Sequence, residues 1–193
     1  MSVSAAMPSA AALPQWVRRR SPPVQVALLA LGVVAVALAS KISVPMTPVP
    51  MTLQTFAVTL VGGLLGWRLG GLCLIAYLLA GAAGLPVFSG TAAGLAKLQG
   101  PTAGYLFAFP LAAAAVGVLV EGGWARASLA RLCAAMLIGS AICLIVGAAW
   151  LAASVGAEAA LAKGVTPFLP GAALKSLLSA LCLKAAATAF GRP

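Results

Sequence analysis

The chain predicts an all-α integral membrane protein: six transmembrane helices in a single domain, with both termini in the cytoplasm. Three observations predict it. Of 193 residues, 63% are hydrophobic and only 7% are charged, whereas soluble domains carry about a quarter charged residues. Apolar runs approach spanning length six times along the sequence. The cations between those runs fall unevenly on alternate loops, as the positive-inside rule requires.

A bilayer core of about 30 Å needs about 20 helical residues, fewer where loops enter the interface. The runs lie at Val24 to Ser40, Leu53 to Gly66, Leu69 to Ala83, Tyr105 to Val120, Leu129 to Ala153 and Phe168 to Phe190. The second and third are short, and a re-entrant pair between Leu53 and Ala83 is the main alternative. Ahead of the first run, residues 1–23 form a cytoplasmic tail, of which Met1 to Gln15, rich in Ala, Ser and Pro, is expected to be mobile. The membrane domain then covers residues 24–190. Arg18 to Arg20, the run from Val24 and the triplet Ala37-Leu38-Ala39 together imitate a cleavable signal peptide. A retained first helix is favoured, because losing it would leave an odd number of spans and spoil the charge asymmetry.

With six spans, Arg18, Arg19, Arg20, Arg68, Arg126, Arg131, Lys184 and Arg192 fall on one side, against Lys41, Lys97 and Lys163 on the other. This excess places both termini in the cytoplasm. The loops Lys41 to Thr52, Gly84 to Gly104 and Ser154 to Pro167 become external. A net charge of +10 is accounted for by loops facing anionic lipid. Nucleic acid is not an expected partner, because no stretch alternates Lys or Arg with aromatics on a polar face.

Inside the helices small residues recur at spacing four: Ala35 and Ala39, Gly66 and Gly70, Ala76 and Ala80, Ala113 and Gly117, Gly139 and Cys143. Such pairs let backbones approach closely in lipid. They serve packing within the bundle or docking of another membrane protein. The four cysteines, Cys73, Cys133, Cys143 and Cys182, each sit in an apolar run and none forms a CxxC pair, so they are expected to be packing residues. Histidine is absent, which removes the commonest transition-metal ligand and the usual general base. Neither metal chemistry nor enzymatic acid–base catalysis is expected.

The external loops carry the informative polar pattern. In the first, Val44-Pro45-Met46-Thr47 is followed by Pro48 and then by Val49-Pro50-Met51-Thr52. Three prolines in six residues hold the segment extended and forbid helix. It is a stiff lid or a rigid connector, and its join to Gln54 and Thr55, an amide and a hydroxyl at the mouth of the second helix, favours the lid. The second loop runs from Gly84-Leu85-Pro86-Val87-Phe88-Ser89-Gly90 through Thr91 to Lys97 and on to Gly100-Pro101-Thr102-Ala103-Gly104-Tyr105. Irregular backbone at membrane depth must line a cavity or be buried in protein. Phe88 and Tyr105 offer aromatic walls there, and Lys97 is available to a carboxylate.

Lys175 stands seven positions inside the run that begins at Phe168, in a chain with only two acids, Glu121 and Glu158. An ammonium at membrane depth costs about 2.5 to 3.5 kcal/mol on insertion scales and by default marks a ligand or ion path. Its alternative is to snorkel outward along its four-carbon stem. With neither acid within expected reach, an anionic ligand would supply the missing charge. Gly90 to Lys97 lacks the Gly-Lys-Ser/Thr ending of a phosphate-binding loop, and no Asp, Glu or His lies inside a span to relay protons. Energy for concentrative transport would therefore come from a partner.

Four runs, Pro48-Val49-Pro50-Met51-Thr52-Leu53-Gln54-Thr55, Gly84-Leu85-Pro86-Val87-Phe88-Ser89-Gly90, Gly100-Pro101-Thr102-Ala103-Gly104-Tyr105 and Phe168-Leu169-Pro170-Gly171 with Leu174-Lys175, resemble the BioY family. Its members are the biotin-binding S components of energy-coupling factor (ECF) transporters. The resemblance spans Ala27 to about Leu183, in order. It implies the six-helix S-component fold in a bacterial plasma membrane, biotin as ligand without a bound cofactor, and as partners a transmembrane coupling protein and two ABC-type ATPase subunits. It places Gln54, Phe88, Ser89, Thr102, Tyr105 and Lys175 near the ligand, with Lys97 as a further candidate, and Ala35 with Ala39 at the coupling-protein contact. Where the family pattern has an acid three residues before the lysine, this chain has Ala172. An S component for another vitamin and a passive facilitator are the competing readings.

Overall fold

The computed structural model describes residues 10–90, 94–124 and 128–190. Arg126, Arg192, Thr91 and the first nine positions of the expected tail lie outside them. Eight α-helices follow in order among the described residues: α1 Ala12–Arg18, α2 Pro22–Lys41, α3 Gln54–Ala82, α4 Leu95–Gln99, α5 Ala103–Glu121, α6 Leu129–Val155, α7 Ala157–Gly164 and α8 Leu169–Phe190, with a 3-10 turn at Thr166–Phe168 between the last two. Two short strands, β1 Ser43–Val44 and β2 Met51–Thr52, pair antiparallel between α2 and α3.

Five stretches among the described residues are long and apolar enough to cross a membrane, where the sequence predicted six separate spans. The difference is α3. Its helix is broken at Gly66, where φ is 80° and ψ 179°, a conformation open to glycine and costly for other residues. The chain reverses there. Gln54 Nε2 donates to the Tyr77 hydroxyl at 2.7 Å, although an unbroken helix would hold residues 23 apart at about 35 Å. Residues 54–65 and 67–82 are therefore antiparallel arms, so close that a Cβ on Gly70 would stand 3.0 Å from the Gly62 Cα. The predicted second and third runs correspond to these arms.

Small residues bring α5 against the same hairpin. A Cβ on Gly62 would meet the Ala113 carbonyl oxygen, and one on Gly117 the Trp67 backbone. Gly139 brings α6 onto Val116 and Thr59 in the same way. Two of the spacing-four pairs, Ala113 with Gly117 and Gly139 with Cys143, thus face the bundle interior. Gly66 is a turn residue rather than a helix contact.

At the end of the bundle that holds the Gly66 turn, Glu121 closes α5. Its Oε1 accepts the Trp67 backbone N–H at 3.2 Å, capping the second arm of α3, and its Oε2 accepts from Arg18 Nη1 at 3.2 Å. That ion pair ties down α1, which replaces part of the expected mobile tail. Ala10, Ala11, Leu13 and Val17 are buried, and Ala10 and Leu13 join the core formed by Val116, Val120, Leu132, Met136 and Leu183. Leu13, Trp16 and Val17 follow the three- and four-residue spacing of a helical apolar stripe, which the Ala/Ser/Pro composition masks. The topology gathers Arg18, Arg68, Arg131 and Lys184 toward this end and Lys41, Lys97, Lys163 and Lys175 toward the other.

The third expected loop, Ser154 to Pro167, is mostly helical. Its Ala157–Gly164 segment forms α7 and buries Ala160, because Ala, Glu, Leu and Lys are good helix formers. The second loop contains the five-residue helix α4. All four cysteines are free thiols, with Cys73 and Cys143 fully buried.

Candidate functional site

Opposite the Glu121 end, the β1–β2 hairpin, the loop carrying Ser89, α4, α5, α6 and α8 enclose a cavity of about 530 Å³ including its mouth. It is lined by Gln54, Ser89, Lys97, Thr102, Tyr105 and Lys175, six of the seven ligand-contact residues predicted from sequence, together with Val49, Pro50, Thr52 and Thr55 from the hairpin side. Leu106, Phe109, Cys143, Leu144 and Phe168 supply its apolar surface.

The proline-rich segment, the expected lid, packs against the bundle at the cavity. Val49 is buried in a cluster with Tyr105, Leu151, Ala160 and Phe168, so the hairpin is folded down onto the bundle rather than standing clear of it. Lys175, on α8, reaches this hairpin: its Nζ donates to the Thr52 carbonyl at 3.0 Å. The ammonium thus finds a partner in the lid backbone and does not snorkel away. An ammonium has three N–H donors, so one bond to Thr52 leaves two for a ligand.

Gln54 is 3% exposed and its orientation is set by neighbours. Its Nε2 donates to the Tyr77 hydroxyl, which donates in turn to the Val87 carbonyl at 2.9 Å. Its Oε1 accepts from Thr52 Oγ1 at 3.1 Å. The amide retains one N–H and one lone pair for the cavity. Ser40 Oγ donates to the same Val87 carbonyl at 2.8 Å, and Lys41 Nζ donates to the Phe88 carbonyl at 2.8 Å. The loop bearing Ser89 is thereby fixed from α2 and α3 together.

Tyr105 lines the cavity with its hydroxyl engaged inside the protein. The hydroxyl donates to the Gly164 carbonyl at 2.8 Å, and the ring stacks on Phe168 with centroids 6.4 Å apart. Gly147 makes the seat: a Cβ there would collide with the Tyr105 ring. Phe88 is the exception among the predicted site residues. It is 1% exposed, lies edge-on to Tyr77 at 5.5 Å and occupies the space over Gly81. It is a core residue behind the loop and does not line the cavity.

Phe168, Phe109, Cys143 and Thr55 line the cavity without having been singled out as ligand contacts. Phe168 opens the run that leads to Lys175, and its stacking on Tyr105 depends on the α7–α8 junction meeting α5, which no local pattern encodes. Lys97, on α4, is half-buried, and burial pushes its ammonium below the usual 10.5. Among the described residues no group of His, Cys, Asp and Glu is arranged to hold a metal ion.

Ala35 and Ala39, the expected docking pair, line a separate apolar groove between α2 and the first arm of α3, with α1 at one end. Ala35 is exposed and Ala39 is buried.

The fold is shared with a crystal structure of the S-component for biotin from an ECF-type ABC transporter. That likeness has a TM-score of 0.75 at 24% identity and covers 86% of this chain and 94% of the other. A probable biotin transporter BioY of Pyrococcus horikoshii is 40% identical over 145 residues, 75% of this chain and 85% of the relative. A biotin transporter BioY of Rhizobium etli is 35% identical over 163 residues, 80% and 87% of the two chains. The model of the BioY family matches residues 11–192. The match takes in the helices, the lid and every residue of the cavity, and the chain belongs to the BioY family.

Proposed function

We propose that this chain is the biotin-binding membrane subunit of an ECF-type importer, capturing biotin beneath the lid formed by residues 43–52 and the Ser89 and α4 segments. The observation that carries this reading is the convergence of Lys175, Gln54, Ser89, Lys97, Thr102 and Tyr105 on one cavity, from four separate stretches of sequence. Biotin has a ureido ring with one acceptor oxygen and two N–H donors, a sulfur-bearing ring and a carboxylate tail. The two remaining N–H groups of Lys175 suit the ureido oxygen, and Gln54 suits the rest of that ring. The stacked faces of Tyr105 and Phe168, with Leu106, Phe109 and Leu144, suit the thiophane. Lys97, on α4 near the mouth, suits the carboxylate.

In this account Ala172 needs no acidic replacement, because Lys175 is already held by the Thr52 carbonyl. The arginine-bearing end faces the cytoplasm of a bacterial plasma membrane, the cavity faces outside, and the groove carrying Ala35 and Ala39 receives a coupling protein. ABC-type ATPases supply the energy, and this chain acts as a binding subunit rather than as an enzyme.

Thermal unfolding of the purified protein in detergent tests the ligand. Biotin raises the melting temperature, by linkage to a ligand that binds only the folded state, while riboflavin and thiamin do not. A shift with either of those vitamins and none with biotin would assign the site to a different one.

A further inference from the structure

We infer that Thr55 is a ligand-binding residue of this cavity, with its hydroxyl bonded to the polar ring of the ligand. The inference rests on the reading of the site as a biotin pocket. Among the described residues, Thr55 Oγ1 is the buried side-chain polar atom that has no hydrogen-bond partner in the protein, and Thr55 lines the cavity. A hydroxyl buried without a partner costs about 1 to 3 kcal/mol, so such an atom on a residue that lines the cavity is poised for an occupant that completes it.

The local reason for its isolation is visible on the same helix. Four residues on, Thr59 bonds back to the carbonyls of Thr55 at 3.0 Å and Phe56 at 3.1 Å, and shares a further bond with Ser179 at 3.0 Å. That is the usual refuge of a helical threonine. Thr55 is the second residue of α3, and four residues before it lies Met51, in β2 rather than in helix. The back-bond is therefore closed to it. The neighbouring polar groups are also occupied: Thr52 Oγ1 donates to Gln54, and the Thr52 carbonyl accepts from Lys175.

The position selects the ring end of the ligand. Ser179, one turn beyond Lys175 on α8, bonds the Phe56 carbonyl at 3.1 Å, which sets Lys175 alongside the opening turn of α3 where Thr55 sits. A hydroxyl both donates and accepts, so it complements a ureido group, which offers an acceptor oxygen flanked by N–H donors. Lys97, the candidate for the carboxylate, comes from α4 instead.

The test is titration calorimetry of the full chain in detergent with biotin and with biotin methyl ester, on the wild type and on Thr55→Val, Thr55→Ser and Thr55→Ala. Loss of one ligand hydrogen bond predicts a drop of about fivefold or more for Thr55→Val with both ligands. Thr55→Ser should stay within about twofold of the wild type, because it keeps the hydroxyl. The ligand-free melting temperature of Thr55→Val should equal or exceed the wild-type value, since a hydroxyl with no protein partner has been removed; should that variant not fold, Thr55→Ala gives the same readout. Unchanged affinity in Thr55→Val, an equal loss in Thr55→Ser, or a loss that disappears with the methyl ester would each overturn the inference. Absence of biotin binding in the wild type would instead overturn the biotin reading.

Discussion

The two ends of the bundle use polar side chains in opposite ways. At the Gly66 turn, Glu121 spends both oxygens on the protein itself, one on the Trp67 backbone and one on Arg18. At the lid, Lys175 spends one donor of three on Thr52, Gln54 keeps capacity on both amide atoms, and Thr55 has no partner among the described residues. The first arrangement fixes where the chain turns. The second is incomplete without something in the cavity. A polar group that closes on its neighbours contributes to the fold, whereas one left open over a hollow contributes to binding and costs stability until it is filled.

That contrast predicts effects that separate by end. The largest is Gly66→Ala. A non-glycine residue at φ 80° is strained, and the added Cβ would collide with Glu121 Oε1, so the reversal and its cap are lost together. A destabilisation of about 2 to 5 kcal/mol is expected, visible as a lowered melting temperature and poor recovery of folded protein in detergent. Biotin affinity of the fraction that folds should change little.

Lys175→Ala comes next and acts at the other end. It should weaken biotin binding at least about tenfold, in line with removal of a charged hydrogen-bond donor, with little change in melting temperature without ligand. An unchanged affinity would reduce Lys175 to a tether for the lid.

Lys97 gives a smaller effect with a pH signature. Burial lowers its affinity for the proton, so its charge is present below the lowered pKa and is lost as pH rises through it, at a pH below the usual 10.5. The ligand carboxylate stays ionised throughout. Affinity for biotin should therefore decline on the alkaline side, and Lys97→Arg, whose guanidinium does not titrate there, should flatten the decline. A pH-independent affinity in the wild type would remove Lys97 from the carboxylate contact.

The smallest expected effect is Glu121→Gln. The amide oxygen still accepts from Trp67, and the ion pair it removes involves an Arg18 side chain that is 51% exposed. Exposed pairs contribute about 0 to 1 kcal/mol. A melting-temperature loss as large as that of Gly66→Ala would show that the carboxylate charge, not the glycine turn, holds this end.

Much of this was legible in the sequence, and each miss has its own physical cause. Hydropathy located the apolar runs, and the Leu53–Gly66 and Leu69–Ala83 boundaries match the arms of α3, because burial in lipid writes itself into local composition. The extended hairpin was legible from Pro45, Pro48 and Pro50, and the set of cavity residues chiefly through the resemblance to the BioY family. Phe88 and Tyr105 were indistinguishable as loop-borne aromatics. What separates them is the glycine opposite each: Gly81 seats Phe88 inside the core, and Gly147 seats Tyr105 at the cavity wall. Gly81 closes α3 just before the Phe88 loop, whereas Gly147 lies on α6, across from Tyr105 on α5. The short helix α1 was hidden by tail-like composition, although Leu13, Trp16 and Val17 carried its stripe. Thr55 was visible as a hydroxyl at a helix mouth, but its lack of a partner follows from β2 ending just before α3, a boundary that single-sequence patterns place only to within a few residues.

Parallel calorimetric titrations of wild type and Lys175→Ala with biotin test the central claim most directly. The account predicts saturable one-to-one binding by the wild type and at least about tenfold weaker binding by the variant. No binding by the wild type, or equal affinity in the two, would contradict it.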